Sequence, residues 1–125
     1  MSDDTEGQAR RRLAELGRNP GAPDTPAQRL VEDAALVGGM LAAAEARQGP
    51  AGDEDEAAVA AALALLAALR LSLDRLEAGV VQQARRLKLD WRQIAAYQGM
   101  NSSQAASQRY ARLVTRLEEI RQGVR

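Results

Sequence analysis

The chain has 125 residues, a formal net charge of zero, and no Cys, His or Phe. That length fits one domain, or one small domain with an appended arm. Without Cys or His there is no disulfide framework, no thiolate nucleophile and no Cys-ligated zinc, and the commonest general base is missing. No metal and no cofactor is expected, and an enzyme is the poorest class, because nothing assembles a nucleophile, base and oxyanion site. The neutral total conceals an asymmetry: residues 1–69 carry 12 acidic against 6 basic side chains, residues 70–125 carry 11 basic against 5 acidic. Any polyanion-binding surface therefore belongs to the C-terminal half. The start, Met1-Ser2-Asp3-Asp4, lacks the pattern of a secretory signal, and the longest uncharged run made only of apolar residues, Ala57–Leu69, has 13 residues. A bilayer core of about 30 Å needs more, so a cytoplasmic protein away from membranes is expected.

Helix starts recur along the chain as a capping-type residue with Gln or Glu three positions later: Thr5/Gln8, Thr25/Gln28, Asp53/Glu56, Asp90/Gln93 and Asn101/Gln104. Pro26 suits a first turn. Gly17, Gly49, Gly99 and Gly123 follow the apolar-periodic stretches and can take the left-handed conformation that ends a helix. The spacing predicts five helices, over 6–16, 26–48, 54–88, 91–98 and 102–122.

The first helix, with Ala9, Leu13 and Leu16 on one face beside Arg10-Arg11-Arg12, reads as an arm joined by the Gly- and Pro-containing linker 17–24. Leu30, Ala34, Val37, Leu41 and Ala44 form a stripe on the second helix. A longer one runs along the third through Val59, Ala62, Leu66, Leu69, Leu73, Leu76, Val80, Gln83 and Leu87. The short Gly49–Gly52 connection predicts that these two fold back antiparallel as an Ala-rich hairpin. Gly38-Gly39 inside the second helix implies either a close backbone approach or a bend. Leu65, Leu71 and Val81 point away from the main stripe, so a second copy of the chain is expected to cover what one hairpin cannot.

The stretch Asp90–Leu117, DWRQIAAYQGMNSSQAASQRYARLVTRL, has helix-turn-helix spacing. Ala95 is small where the second helix crosses, Gly99 turns the chain, and Ile94 with Met100 plugs the angle. On the last helix Ala106, Tyr110, Leu113, Leu117 and Ile120 face inward. Ser103, Gln104, Ser107 and Gln108 then face outward at the end that enters a major groove in this motif. Arg92, Arg109, Arg112 and Arg116 flank that face, with Arg85, Arg86 and Lys88 before it, and are candidate phosphate contacts. Gln104 has two readings, a bidentate reader of an adenine edge and the partner of Asn101 in a capping box. Trp91 and Tyr110 read as packing residues, and Asp53-Glu54-Asp55-Glu56 as complements of a helix dipole rather than a cation site.

At these residues the chain resembles actinobacterial helix-turn-helix DNA-binding proteins, including those named as regulators of small heat-shock proteins. Their pattern runs roughly W-x-x-[IL]-A, then L-G-[LM], then R-Q-A-A-x-R-R-Y-x-R-L. The matching positions are Trp91, Ile94, Ala95, Gly99, Met100, Gln104, Ala105, Ala106, Arg109, Tyr110, Arg112 and Leu113, preceded by Leu73-Asp74-Arg75-Leu76-Glu77. Gln98 stands where an apolar residue is usual, and Ser103 and Gln108 where Arg is usual. The resemblance implies DNA binding and transcriptional control.

The expectation is thus an all-α protein of five helices, an Ala-rich antiparallel hairpin followed by a C-terminal helix-turn-helix. Residues 1–24 form an arm and linker, 25–72 an oligomerisation hairpin, and 73–125 the DNA-binding domain. Double-stranded DNA is the expected partner at the nucleoid, bound by a homodimer, with contacts to the transcription machinery left open. The alternatives are a nucleoid-associated protein of low sequence preference and a protein-interaction adaptor without direct DNA readout.

Overall fold

The computed structural model describes residues 2–16, 25–49 and 52–123. Among these are five helices and no strand: α1 (Ser2–Leu16), α2 (Pro26–Ala46), α3 (Asp53–Arg86), α4 (Trp91–Gln98) and α5 (Ser103–Arg121). The protein is all-α, as its composition and periodicity predict. Helix α1 begins before Thr5, so the expected Thr5/Gln8 box lies inside a helix instead of starting one. The expected stop at Gly17 lies outside the described residues.

The other starts are local chemistry, offset by one residue in two cases. Asp90 and Gln93 form a full reciprocal box: the Asp90 carboxylate accepts from the Gln93 N–H at 2.8 Å, and the Gln93 side chain accepts from the Asp90 N–H at 2.9 Å. Thr25 accepts from the Gln28 N–H at 3.1 Å, but the Gln28 amide turns away to donate to Glu32 at 2.9 Å. Before α3 the cap is Gly52, not Asp53, and Asp55 accepts the Gly52 N–H at 2.7 Å. Before α5 the cap is Ser102, not Asn101: its extended backbone lets the hydroxyl accept from the Ala105 N–H at 3.1 Å.

Helix α2 packs along α3, and Arg47, just after α2, bridges to Asp55 in the first turn of α3. The covered line of α2 runs through Pro26, Leu30, Asp33, Val37 and Met40; Ala34, Leu41 and Ala44 of the expected stripe are exposed. On α3 the covered positions facing the hairpin are Ala58, Ala62, Leu65, Leu69 and Ser72. Val59, Leu73, Val80 and Leu87 of the expected stripe are exposed, and Val81, expected to point away, is buried. The cause is geometric: α3 has apolar residues on several lines, α2 is 21 residues against 34, and the line through Ala78 and Val81 belongs to the C-terminal helices. Among the described residues nothing lies within 4 Å of where a Cβ would stand on Gly38 or Gly39, so no close approach there requires them. Helix α3 runs unbroken through the expected boundary at 72/73 and changes partner along its length, from α2 to α5.

The tightest packing lies between α4 and α5. Ile94, Ala95 and Ala106 form a buried cluster, Ala106 being 2% exposed, with Ala84, Leu89, Trp91 and Met100 packed around it. Small residues at 95 and 106 let the two backbones approach, and Gly99, at φ 75°, ends α4. The Met100 N–H donates to the Ala95 carbonyl at 2.8 Å and the Gly99 N–H to that of Ala96 at 3.1 Å, a Schellman ending. The same motif ends α3, with Leu89 N–H donating to Ala84 and Lys88 N–H to Arg85, at 3.1 and 2.9 Å. Here the left-handed position, φ 67°, is held by Lys88. A side chain in that conformation costs about 1–2 kcal/mol. Lys88→Gly is therefore expected to raise the free energy of unfolding by about 1 kcal/mol in a urea titration. An unchanged or lower midpoint would show that the lysine is not strained there.

Candidate nucleic-acid interface

Helix α5 buries Ala106 and Leu113 and half-buries Tyr110 and Leu117, which fixes its inner face; Ile120, expected there too, is 41% exposed. At 100° per residue the opposite face carries Gln104, Gln108, Ala111 and Thr115, all exposed. Ser103 is exposed at the helix start. Ser107 departs from the expectation: it is half-buried, and its hydroxyl donates to the Gln104 carbonyl at 3.1 Å, turning it toward its own helix. With Ser102 as the cap, Gln104 is released from capping, and among the described residues its side-chain amide has no partner. The two exposed amides, Gln104 and Gln108, lie four residues apart on one line.

The candidate phosphate ligands fall into two groups. Arg86, Lys88, Arg92 and Arg112 are exposed, and among the described residues none forms an ion pair. Arg109, Arg116 and Arg85 are engaged. Arg109 grips Glu77 of α3 with both ends of its fork, Nε donating at 2.6 Å and Nη2 at 2.8 Å, while Arg116 pairs with Asp74 one turn earlier on α3. Gln98, the residue that replaces an apolar one in the resemblance, donates to Glu77 at 3.5 Å. Arg85 lies over the Trp91 ring at 4.9 Å and donates to the Leu89 carbonyl at 3.0 Å. Trp91 in turn meets Tyr110 at 5.8 Å between ring centres, tilted by 41°. Cation and rings thus tie the ends of α3, α4 and α5 together.

Glu77 and Asp74 enter the sequence reading only within the Leu73–Glu77 stretch of the resemblance, and their pairing with the arginines is what local spacing misses. They lie 32 and 42 positions before their arginines, and no local spacing connects the pairs. Their carboxylates are more than four-fifths covered, whereas the arginines are about half exposed. The hydrogen bonds from Arg109 hold the Glu77 carboxyl below its ordinary value against the opposing effect of burial, helped by the charges of Arg109 and Arg116. Glu77 reciprocally raises Arg109, first through that hydrogen bond. A second feature adjoins the motif: Val80, Leu87, Leu89, Ile94 and Tyr97 line an open apolar groove of about 440 Å³ between α3 and α4.

Because the folded carboxyl of Glu77 sits below its unfolded value of 4.5, its stabilisation is fully present above that pH. It is lost as pH falls through the lower folded value. Glu77→Gln is expected to destabilise by roughly 0.2–1 kcal/mol near neutral pH, the range for a pair whose cation is half solvated. The gap to the unsubstituted chain should close progressively below pH 4.5. A gap of constant size across that window, read by urea denaturation at each pH, would show that the loss is one of packing and not of charge.

Comparison with curated proteins finds no match, and comparison with solved structures finds none either. A family model does match: the C-terminal part of the chain, from Gly79 in late α3 to Ile120 at the end of α5, fits the Myb-like DNA-binding domain over residues 79–120. This is about a third of the chain, it is the helix-turn-helix with its packed core, and it supports DNA as a partner of that unit.

Proposed function

We propose that the protein is a sequence-specific DNA-binding transcriptional regulator that lays α5 in the major groove and acts as a homodimer at the nucleoid. The observation that carries the reading is the outer face of α5. Two uncommitted amides, Gln104 and Gln108, stand on the turn-linked second helix of a motif that matches a DNA-binding family. Amide side chains pair bidentately with an adenine edge in that groove. Arg112 lies on the flank of the same helix, and Arg86, Lys88 and Arg92 are free to take phosphates. The resemblance to actinobacterial regulators supports transcriptional control, and a two-fold dimer supports specificity by doubling the contacts over two half-sites. The α3 carboxylates refine the count of phosphate ligands. Arg109 and Arg116 are already neutralised by Glu77 and Asp74, so Arg112 is the arginine of α5 whose full charge is available.

The apolar groove beside Tyr97 favours a second reading, an adaptor that holds a partner helix of the transcription machinery there while DNA contact is incidental.

Fluorescence anisotropy with duplex DNA at several salt concentrations decides between them. Arg112→Ala is expected to weaken binding to all sequences and to reduce the salt slope by about 0.9, the loss of one phosphate contact. Arg109→Ala should change the slope less and reduce stability more. Gln104→Ala and Gln108→Ala are expected to cost about 1–3 kcal/mol against a preferred site and little against random duplex. No binding at low salt would reject DNA readout. A uniform loss in the glutamine variants, with no preferred sequence, would instead give a nucleoid-associated protein.

A further inference from the structure

The hairpin is short of cover. No residue of α2 is buried, and the first half of α3 buries Ala62 alone. On α3 the uncovered apolar positions include Val59 at 47% and Leu63 at 61% exposure, with Leu66 half-buried beside them. They lie three and four residues apart on one flank, and the same spacing extends the line outward to exposed Glu56 at one end and exposed Arg70 at the other. Among the described residues neither Glu56 nor Arg70 forms an ion pair, in contrast to Asp55, Asp74 and Glu77 on other lines of the same helix.

We propose that a second copy of this chain covers the flank Val59–Leu63–Leu66, the two α3 helices running antiparallel about a two-fold axis at Leu63. Glu56 and Arg70 are each seven residues from Leu63, so in that arrangement Glu56 of each copy meets Arg70 of the other, once at each end. The line is complementary to itself, which an isologous interface requires. With α2 of each copy alongside, the two hairpins close a four-helix bundle. Parallel pairing would set Glu56 against Glu56 and Arg70 against Arg70. A bilayer is the rival occupant, because α3 passes as a membrane-crossing helix by length and composition. Its uncharged run, Ala57–Leu69, spans only about 20 Å at 1.5 Å per residue, against a core of about 30 Å. This inference gives the proposed homodimer its surface. Its test uses no DNA, so it stands or fails apart from DNA binding.

The chain has no cysteine, so a single introduced thiol reports its own neighbours. Light scattering of the unsubstituted chain at about 50 µM, well above the micromolar dissociation constants of modest interfaces, is expected to give twice 13.4 kDa. Leu63→Cys should oxidise to a linked dimer, and Val31→Cys and Val80→Cys should not. Glu56→Arg and Arg70→Glu should each shift the mass toward monomer, and the double exchange should restore the dimer. A monomeric mass, linkage through Val80→Cys in place of Leu63→Cys, or single reversals without effect would overturn the arrangement. A monomer that co-sediments with phosphatidylcholine vesicles would assign the flank to a bilayer. Circular dichroism of each variant shows that the helices are retained.

Discussion

The approach of α4 to α5 at Ala95 and Ala106 is the constraint on which the rest of the molecule hangs. Each has only a methyl group, so the two helices come close enough for Ile94 to fill the angle and for Met100 and Trp91 to seal its sides. Everything that gives the outer face of α5 its meaning follows from that contact. It fixes which line of α5 is hidden, and hence that Gln104 and Gln108 face out. It also fixes which flank lies toward α3, where Arg109 and Arg116 find Glu77 and Asp74. A larger side chain at either alanine would add volume where there is none, typically at a cost of 1–3 kcal/mol, and would rotate the arginines away from their carboxylates. Packing and electrostatics here act in series.

Much of this was legible in the residues because it depends on local chemistry. The Asp90/Gln93 box, the turn at Gly99 and the plug of Ile94 and Met100 all act within about ten positions, and each is found where the spacing puts it. The cap of α5 was displaced by one residue, because Asn101, Ser102 and Ser103 are all capping types and sequence spacing does not choose among them. That single step decides whether Gln104 is consumed by a cap. What was not legible is long-range. The rotation of α2 and α3 about their axes belongs here, because alanine and leucine occupy several lines of each helix and periodicity alone does not single out the buried one. The left-handed turn at Lys88 was hidden for a related reason, since a glycine would have announced it and a lysine does not.

The paired arginines change how the charge of the C-terminal half is to be weighed. The surplus of basic residues in the sequence suggests a broadly cationic surface, yet carboxylates of α3 neutralise two of the three arginines on one flank of α5. Such pairs are worth little as stability when half solvated, but they orient the guanidinium groups and remove them from competition for phosphate. The result is a flank with less charge than its arginine count implies and more geometric definition. On the proposed reading, less counterion release leaves more of the discrimination to the amides, because phosphate contacts hold any sequence alike.

The two halves of the molecule meet different shortages in different ways. The helix-turn-helix has few aromatic residues, and it compensates with alanine at the crossing, a cation stacked on Trp91 and a ring pair. The hairpin has no aromatic residue, Arg47 with Asp55 is the ion pair described at its closed end, and its alanines bury little area per turn. Helix α3 belongs to both, so whatever seats its first half also sets where its second half presents α5. The leucines and valines left bare on α3 are therefore more than unsatisfied surface. They lie on the same rigid helix that positions the outer face of α5, which couples the cover of one end of the molecule to the geometry available at the other.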